Sequence, residues 1–253
     1  ASIINAGQSF VAGETVIPPS GKLIGELELR FMVDAVLDGW LTTGRFNEEF
    51  ETKLAKFLGV KHVRTVNSGS SANLMAFTTL TSPKLGDRAI NKGDEIITVA
   101  AGFPTTVNPI IQNGCIPVFV DINPFTHNID ENKVEEAISP KTKAIILVHL
   151  YGQVRDMDAW LQLCESEDIY LIEDCAQSHL ATWHGRVAGS FGKAGACSFY
   201  PTKNLGALGD GGSVITDDEN LAEKAKQLRN YGQSSRYHHP EIGMNSRLDE
   251  IQA

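Results

Sequence analysis

The sequence predicts an α/β fold in which a mostly parallel sheet lies between two layers of helices. Short runs rich in β-branched residues alternate along the chain with longer segments that have helical periodicity. Several short runs, including 97–99 and 145–148, are almost continuously apolar. Such runs are typical of strands that are buried on both faces of a parallel sheet. Together these observations predict a three-layer α/β architecture.

The individual elements follow from the same patterns, taken in chain order. Apolar, β-branched runs predict strands at 63–66, 95–99, 116–120, 144–148, 169–172, 196–199 and 213–216. Apolar residues spaced three and four positions apart predict helices at 25–38, 47–57, 70–79, 103–113, 132–137, 157–167 and 219–230.

Acidic residues mark the starts of two of these helices. Asp130 precedes the helix at 132–137, and Asp217 and Asp218 precede the helix at 219–230. Carboxylates are favourable there because the first N–H groups of a helix are unpaired and the helix dipole is positive. Residues 245–253 also have the pattern of an amphipathic helix, and we expect this helix to continue beyond residue 253.

Composition and charge exclude several classes of protein. The 253 residues carry a net charge of −9, whereas nonspecific binding of nucleic acid requires a basic surface. No apolar run approaches the roughly 18 residues that a membrane-spanning helix needs. The first residues lack the basic and apolar regions of a signal peptide. We therefore expect a cytoplasmic protein with neither nucleic acid nor a membrane as a partner.

The cysteines and histidines lack the spacing of metal ligands. None of the four cysteines lies within ten residues of another, which excludes zinc-ribbon and CxxC redox motifs. The histidines form no HExxH motif. We therefore expect no metal site, and we expect the cysteines to be reduced residues of the core.

Three common ligand motifs are absent from the sequence: GxGxxG after a strand, GxxxxGK[ST] and GxSxG. Their absence leaves no support for a Rossmann dinucleotide site, a P-loop or a nucleophile elbow. A different small-residue turn, 67–73, joins a predicted strand to a predicted helix. Free backbone N–H groups at such a turn form an anion site, to which Gly69, Ser70 and Ser71 would contribute. An ordinary capped helix has the same composition, so both interpretations stay open.

Two further polar residues follow predicted strands. Asp174 ends a buried run, and in an open α/β sheet such a residue faces the ligand crevice, where it can serve a metal or a cationic ring nitrogen. Lys203 follows another strand and precedes the glycine-rich stretch 206–212, where a desolvated lysine can form a Schiff base. Taken singly, each residue is equally compatible with a turn-capping acid or a surface lysine.

The three features together match the requirements of pyridoxal phosphate. This cofactor needs an anion site for its phosphate, a carboxylate for its pyridine nitrogen and a lysine for its aldehyde. An aromatic residue should also cover the face of the ring, and Phe103, which follows the predicted strand 95–99, is well placed for that role. The sequence therefore predicts a pyridoxal phosphate site.

With these features the chain resembles a known family, the DegT/StrS sugar aminotransferases. Members of this family have the aspartate-aminotransferase fold (fold type I). The resemblance extends over the whole chain. The motifs that carry it are Gly-Trp-Leu-Thr-Thr-Gly at 39–44, Asn-Ser-Gly-Ser-Ser-Ala at 67–72, Gly-Asp-Glu-Ile-Ile at 93–97, Glu-Asp-Cys-Ala-Gln at 173–177, Ser-Phe-Tyr-Pro-Thr-Lys at 198–203 and Asn-Ser-Arg-Leu-Asp-Glu-Ile-Gln-Ala at 245–253.

The resemblance implies a role for each residue of the cofactor ring's surroundings. Lys203 matches the lysine that carries the cofactor, and Asp174 matches the partner of the pyridinium nitrogen. Gln177 matches the side chain near the ring hydroxyl, and Phe103 matches the aromatic residue that stacks on the ring. Lys203 and Asp174 are the two residues expected to be catalytic.

The resemblance also implies the residues that bind the phosphate. Gly69, Ser70 and Ser71 match the phosphate-binding turn, and the Ser198 hydroxyl matches a further ligand of the same phosphate. Asn245 and Arg247 fall in a segment that family members present to the site of the partner subunit. The implied assembly is therefore a homodimer with its sites at the interface.

The same resemblance implies three domains and an activity. Residues 1–24 would form an N-terminal arm, 25–240 the large cofactor-binding domain, and 241–253 the link to a small C-terminal domain that the chain lacks. The implied reaction is transfer of an amino group, with glutamate as the donor, to a nucleotide-linked keto-sugar. Such a reaction belongs to deoxyamino-sugar and polysaccharide biosynthesis, including that of O-antigen.

Two alternatives stay open. Residues 11–122, with 17–21, 41–46 and 101–109, are most similar to CDP-4-keto-6-deoxyglucose 3-dehydrases, which use pyridoxamine phosphate. Those enzymes have histidine at the position of Lys203 and a downstream cysteine cluster, whereas 229–240 contains no cysteine. A natural mosaic and an artificially joined sequence would explain this equally well. The second alternative is a non-catalytic sensor of the same fold, which the presence of Lys203 and Asp174 disfavours.

Overall fold

The computed structural model describes residues 10–16 and 23–253. The 17–21 motif and most of the predicted arm at 1–24 lie outside these residues. The described chain forms strands β1 (His62–Val66), β2 (Glu95–Val99), β3 (Ile116–Val120), β4 (Thr142–Val148), β5 (Tyr170–Asp174), β6 (Thr182–Trp183), β7 (Arg186–Val187), β8 (Ala194–Ser198) and β9 (Gly212–Thr216). Its α-helices are α1 (Glu26–Asp38), α2 (Arg45–Leu58), α3 (Gly69–Thr79), α4 (Pro104–Gln112), α5 (Val134–Ala137), α6 (Met157–Ser166) and α7 (Glu219–Leu228).

Seven strands form one sheet in the order β1-β9-β8-β5-β4-β2-β3. The pairings among β3, β2, β4, β5 and β8 are parallel, whereas β9 runs antiparallel to both β8 and β1. The prediction of a mostly parallel sheet is therefore confirmed. The short strands β6 and β7 form a separate hairpin, which the sequence analysis did not predict.

Alternate residues of the central strands face opposite helical layers. Ile96 packs in a cluster with residues of α3, α4 and α7, whereas its neighbour Ile97 packs with residues of α5 and α6. A third cluster packs α2 against β1, β8 and β9, which lie toward the β1 edge of the sheet. The near-continuous apolar runs of the sequence arise because each strand needs apolar side chains on both faces. This arrangement confirms the three-layer fold.

Acidic residues cap two helices as the sequence suggests. Asp218 accepts a hydrogen bond from the Leu221 N–H at the start of α7. Asp130 accepts one from the Asn132 N–H, but the element it caps is a short 3₁₀ turn, Glu131–Lys133, followed by the four-residue α5. The helix predicted at 132–137 is therefore formed over 134–137, and the turn replaces its first two residues.

The helix predicted at 245–253 is not formed. Asn245 pairs with Asn230 in an antiparallel bridge, and the Ser246 carbonyl accepts a hydrogen bond from the Asn67 N–H at 3.0 Å. Only a turn at 250–252 follows. The prediction was wrong because these long-range backbone pairings hold the first part of the segment in an extended conformation, which local periodicity does not reveal.

Glu250 fixes this segment to the start of α2. Its buried carboxylate accepts hydrogen bonds from the backbone N–H groups of Gly44 (2.6 Å), Phe46 (2.7 Å) and Asn47 (3.0 Å), and from Asn47 Nδ2 (2.7 Å). The first N–H groups of a helix have no acceptor within the helix, so a carboxylate from a distant segment takes that role. Residues about 200 positions apart are thereby joined.

We expect Glu250→Ala to lower the free energy of unfolding by about 2 kcal/mol, because it leaves several buried donors without an acceptor. Urea unfolding followed by circular dichroism measures the change. The exposed Glu136 is a matched control, and Glu136→Ala should leave the stability nearly unchanged. Equal stability of the two variants would contradict the role given to Glu250.

The four cysteines are buried free thiols, as the sequence analysis predicts. Burial raises the pKa of Cys115 to about 11 and that of Cys164 to about 12. A hydrogen bond with Cys197, together with burial, also raises the pKa of Cys175. These three thiols therefore stay protonated at neutral pH. Protonated thiols are poor nucleophiles. Among the described residues, no helix has the length and apolarity to cross a membrane.

Candidate cofactor site

A cavity of about 720 Å³ lies at the carboxyl ends of the parallel strands. Residues that follow β1, β2, β4, β5 and β8 line it, as expected for an open α/β sheet. The cavity brings together seven of the residues predicted from the sequence: Gly69, Ser70, Phe103, Asp174, Gln177, Ser198 and Lys203.

The turn before α3 forms one end of this cavity. Gly69 and Ser70 open the helix, so their N–H groups have no acceptor within it. A Cβ atom on Gly69 would lie 2.5 Å from the Cβ of Ser198, so only glycine allows the two segments to approach this closely. The Ser71 hydroxyl instead donates to Asn67 Oδ1 at 2.6 Å, and Ser71 does not line the cavity.

Three donors hold the carboxylate of Asp174, which is only 4% exposed. Oδ2 accepts hydrogen bonds from Asn73 Nδ2 at 2.9 Å and from Thr106 Oγ1 at 2.6 Å, and Oδ1 accepts one from the Ala176 N–H at 3.1 Å. These contacts fix the orientation of the carboxylate at the end of β5. Asn73 and Thr106 were not predicted as site residues, because nothing local in the sequence shows that they meet Asp174.

Lys203 lies in a tight turn after β8, where its N–H donates to the Tyr200 carbonyl at 2.8 Å. Phe103 precedes α4 and is 69% exposed along the cavity wall. The Oε1 atom of Gln177 accepts a hydrogen bond from the Tyr151 N–H at 3.0 Å. Because its oxygen is engaged, the amide group of Gln177 has its N–H donors left for an acceptor in the cavity.

Three aromatic residues near the site were not identified from the sequence. His179 packs against Phe199, and burial, followed by the positive charge of Lys203, lowers the pKa of His179. His127 lines the cavity and meets Tyr151 edge to face, with ring centroids 6.4 Å apart. Both His127 (φ 59°) and Tyr151 (φ 57°) have left-handed backbones, which are uncommon outside glycine and concentrate at functional sites.

Asn245 and Arg247 do not line the cavity of their own chain. The Arg247 guanidinium donates to Asn230 Oδ1 at 2.7 Å and to Thr42 Oγ1 at 3.1 Å, and it lies over the Tyr231 ring. Their role at the site of a partner subunit stays a prediction.

These residues fit pyridoxal phosphate. The close approach of Gly69 to Ser198 forms an anion cradle at one end, and the oriented carboxylate of Asp174 and the amine of Lys203 face the same cavity. Together with the sheet order, this donor set matches what a pyridoxal phosphate site of fold type I requires.

The chain belongs to the DegT/DnrJ/EryC1/StrS aminotransferase family, whose sequence profile matches residues 23–253. It is 52% identical over 223 residues to the lipopolysaccharide biosynthesis protein RfbH of Salmonella typhimurium, covering 88% of this chain and 51% of that protein. It is 40% identical to dTDP-4-dehydro-2,6-dideoxy-D-glucose 3-dehydratase of Saccharopolyspora spinosa, over 88% of this chain and 48% of the relative. It is 41% identical to dTDP-3-amino-3,4,6-trideoxy-alpha-D-glucose transaminase of Micromonospora megalomicea, over 90% and 60% of the two chains. The chain thus spans about half to three fifths of the length of these relatives.

Solved structures show the same relationship. DesV of S. venezuelae, in complex with a ketimine intermediate, matches with a TM-score of 0.83 and 37% identity over 89% of this chain and 59% of that one. GDP-4-keto-6-deoxymannose-3-dehydratase with a trapped PLP-glutamate geminal diamine matches with a TM-score of 0.86 and 30% identity over 94% and 66%. Pyridoxal phosphate is therefore the cofactor, and two of the relatives named above are a dehydratase and a transaminase of dTDP-linked sugars.

Proposed function

We propose that the protein is an aminotransferase that moves an amino group from glutamate to a nucleotide-linked keto-sugar. The observation that carries this proposal is that Lys203 and Asp174 face one cavity together with an anion-binding turn. A lysine is the group that a transaminase needs in order to carry the cofactor and to move a proton, and a dehydrase of the related branch has histidine there.

Each residue has a distinct task in the proposed reaction. Pyridoxal phosphate supplies an electron sink for the charge that develops when the donor's α-proton leaves. Lys203 takes that proton as a general base and returns it as a general acid. The Asp174 carboxylate holds the proton on the ring nitrogen, and Asn73 and Thr106 keep that carboxylate oriented.

The remaining residues bind and orient the cofactor in this proposal. Gly69 and Ser70 donate backbone N–H groups to the phosphate, and Ser198 adds its hydroxyl. Phe103 covers one face of the ring, and the amide of Gln177 donates to the ring hydroxyl. We assign Ser71 the task of ordering the turn through its hydrogen bond to Asn67.

We also propose a homodimer in which Asn245 and Arg247 serve the partner subunit's site. An exposed apolar face of α1 supports this assembly, since Leu29, Val33 and Val36, spaced four and three positions apart, are 40%, 56% and 50% exposed. Burying such a face against a second copy is favourable. Sedimentation analysis tests the assembly, and a monomer at micromolar concentration would contradict it.

The second candidate function is 3-dehydration of a nucleotide keto-sugar. It is favoured by the 40% identity to a 3-dehydratase and by the solved dehydratase that matches the fold. Lys203 argues against it. A non-catalytic sensor of the same fold is the third candidate, and it predicts no turnover at all.

Mass spectrometry of the sugar product separates these candidates. The protein is loaded with pyridoxal phosphate and incubated with glutamate and a panel of nucleotide 4-keto- and 3-keto-sugars. Aminotransfer yields 2-oxoglutarate and a sugar that carries an amine in place of its carbonyl oxygen. A product that has lost a hydroxyl and gained no nitrogen would favour the dehydrase, and no product with any sugar would favour the sensor.

A further inference from the structure

Glu173 forms a buried hydrogen-bonding centre directly behind the cofactor site. It neighbours Asp174 on β5, and because successive side chains of a strand point to opposite faces, it faces away from the cavity. Glu173 and its partner His149 are both fully buried, with 0% exposure. Burying a carboxylate costs free energy unless the group is well hydrogen-bonded. The hydrogen-bond partners of Glu173 therefore show what the carboxylate holds in place.

Both oxygens of Glu173 are fully engaged. Oε1 accepts hydrogen bonds from the N–H groups of Phe191 at 2.8 Å and Gly192 at 2.7 Å. Oε2 accepts them from the Gly189 N–H at 2.8 Å and from His149 Nε2 at 2.9 Å. With Glu173 ionised, all four contacts are donors to the carboxylate, and His149 must carry its proton on Nε2.

This pattern distinguishes the centre from a metal site. His149, Glu173 and Cys175 have potential ligand atoms within 4.8 Å of one another. However, a cation at Glu173 would have to displace the three N–H groups of the loop 189–192 that donate to it, whose hydrogen bonds among the described residues go to Glu173 alone. The donor set is suited to a carboxylate that holds the backbone, not to one that binds a metal.

The centre joins three segments that lead into the cofactor site. His149 follows β4, and its N–H donates to the Asp174 carbonyl at 3.2 Å. The loop of Gly189, Phe191 and Gly192 leads into β8, which carries Ser198 and then Lys203. Space in this loop is tight, since a Cβ atom on Gly192 would lie 2.4 Å from the Leu171 carbonyl oxygen.

We propose that Glu173 and His149 are positioning residues that set the placement of Asp174 and of the segment bearing Lys203 relative to the cofactor. They touch no ligand themselves. They act by joining the ends of β4 and β5 to the entry into β8, so that the carboxylate and the amine meet the cofactor in a fixed relation. This inference rests on the roles proposed above for Asp174 and Lys203.

Three variants of the full-length holoprotein test the proposal. His149→Gln retains an N–H donor near the position of Nε2, whereas His149→Phe removes it. In His149→Asn the shorter amide does not reach Glu173. The matched control is Ile145→Ala, which shortens a side chain with 0% exposure on β4, four residues before His149, and removes none of the hydrogen bonds to Glu173. The measurements are the dissociation constant of the cofactor, its visible circular dichroism and the melting temperature.

We expect His149→Phe and His149→Asn to weaken cofactor binding about tenfold, the equivalent of one hydrogen bond to a charged group, and to change the visible circular dichroism. His149→Gln should restore both properties, and Ile145→Ala should lower only the melting temperature. If Ile145→Ala changed the cofactor signals as much as His149→Asn, or if His149→Gln gave no rescue, the positioning role would be wrong. Chemical mapping of the cofactor onto Lys203 in the wild-type protein tests the proposed function separately, so the two failures are distinguishable.

Discussion

Asp174→Asn is expected to lower the rate of transamination on the order of a thousandfold, or about 4 kcal/mol in the activation barrier. Both oxygens of Asp174 accept hydrogen bonds, two at Oδ2 and one at Oδ1. The amide oxygen of the variant will take the position with two donors, because an amide NH₂ there would meet Asn73 and Thr106. The NH₂ group then replaces Oδ1, where it meets the Ala176 N–H instead of accepting from it, and a neutral amide cannot hold a proton on the ring nitrogen.

Stopped-flow measurement of the glutamate half-reaction provides the test, because it isolates proton transfer from binding of the sugar. The control is Asp210→Asn, which alters another carboxylate that lines the cavity but is exposed. We expect that control to retain most of its activity. A near-normal half-reaction in Asp174→Asn would remove Asp174 from the catalytic role.

Lys203→Ala is expected to lower turnover by about 10⁴-fold, which is the upper range for loss of a general acid and base. The variant should still bind pyridoxal phosphate, because the phosphate turn and the Asp174 carboxylate do not depend on this side chain. Its bound cofactor should show the absorption of a free aldehyde. We therefore expect Lys203→Ala to lose turnover while it retains equilibrium binding of the cofactor.

The matched control for this variant is Lys193→Ala. Lys193 Nζ lies 2.5 Å from Asp218 Oδ2, at the opposite end of β8 from Lys203. Its loss removes one positive charge without touching the cavity, and turnover should stay within a few-fold of the wild-type value. Equal loss of activity in both variants would show that the effect comes from charge or stability and not from catalysis.

Much of the fold was accessible from the sequence because periodicity is a local property. The seven strands of the main sheet were predicted within a few residues, since burial on both faces produces apolar runs. The direction of β9 could not be predicted, because this strand, which runs antiparallel to both of its neighbours, is as buried as the parallel strands β5 and β8. The 245–253 segment was misread because its extended conformation depends on residues 67 and 229–230.

Some residues of the site could likewise be predicted from the sequence, and others could not. Asp174 and Lys203 could be predicted as candidates because a polar residue that follows a buried strand of a parallel sheet lies at the sheet's ligand edge. The partners of Asp174 were not, since Asn73 and Thr106 occupy helices on other connections. The link between His149 and Glu173 was equally hidden, because it joins adjacent parallel strands and leaves no periodic signal.

The central claim is that Lys203 carries the cofactor at this cavity, and borohydride reduction followed by peptide mapping tests it most directly. Reduction makes the bond between cofactor and lysine permanent, so the modified peptide can be sequenced by mass spectrometry. We expect the pyridoxyl label on Lys203 alone in the wild-type protein and its loss in Lys203→Ala. A label on another lysine, or a bound cofactor that borohydride does not attach to the chain, would contradict this account.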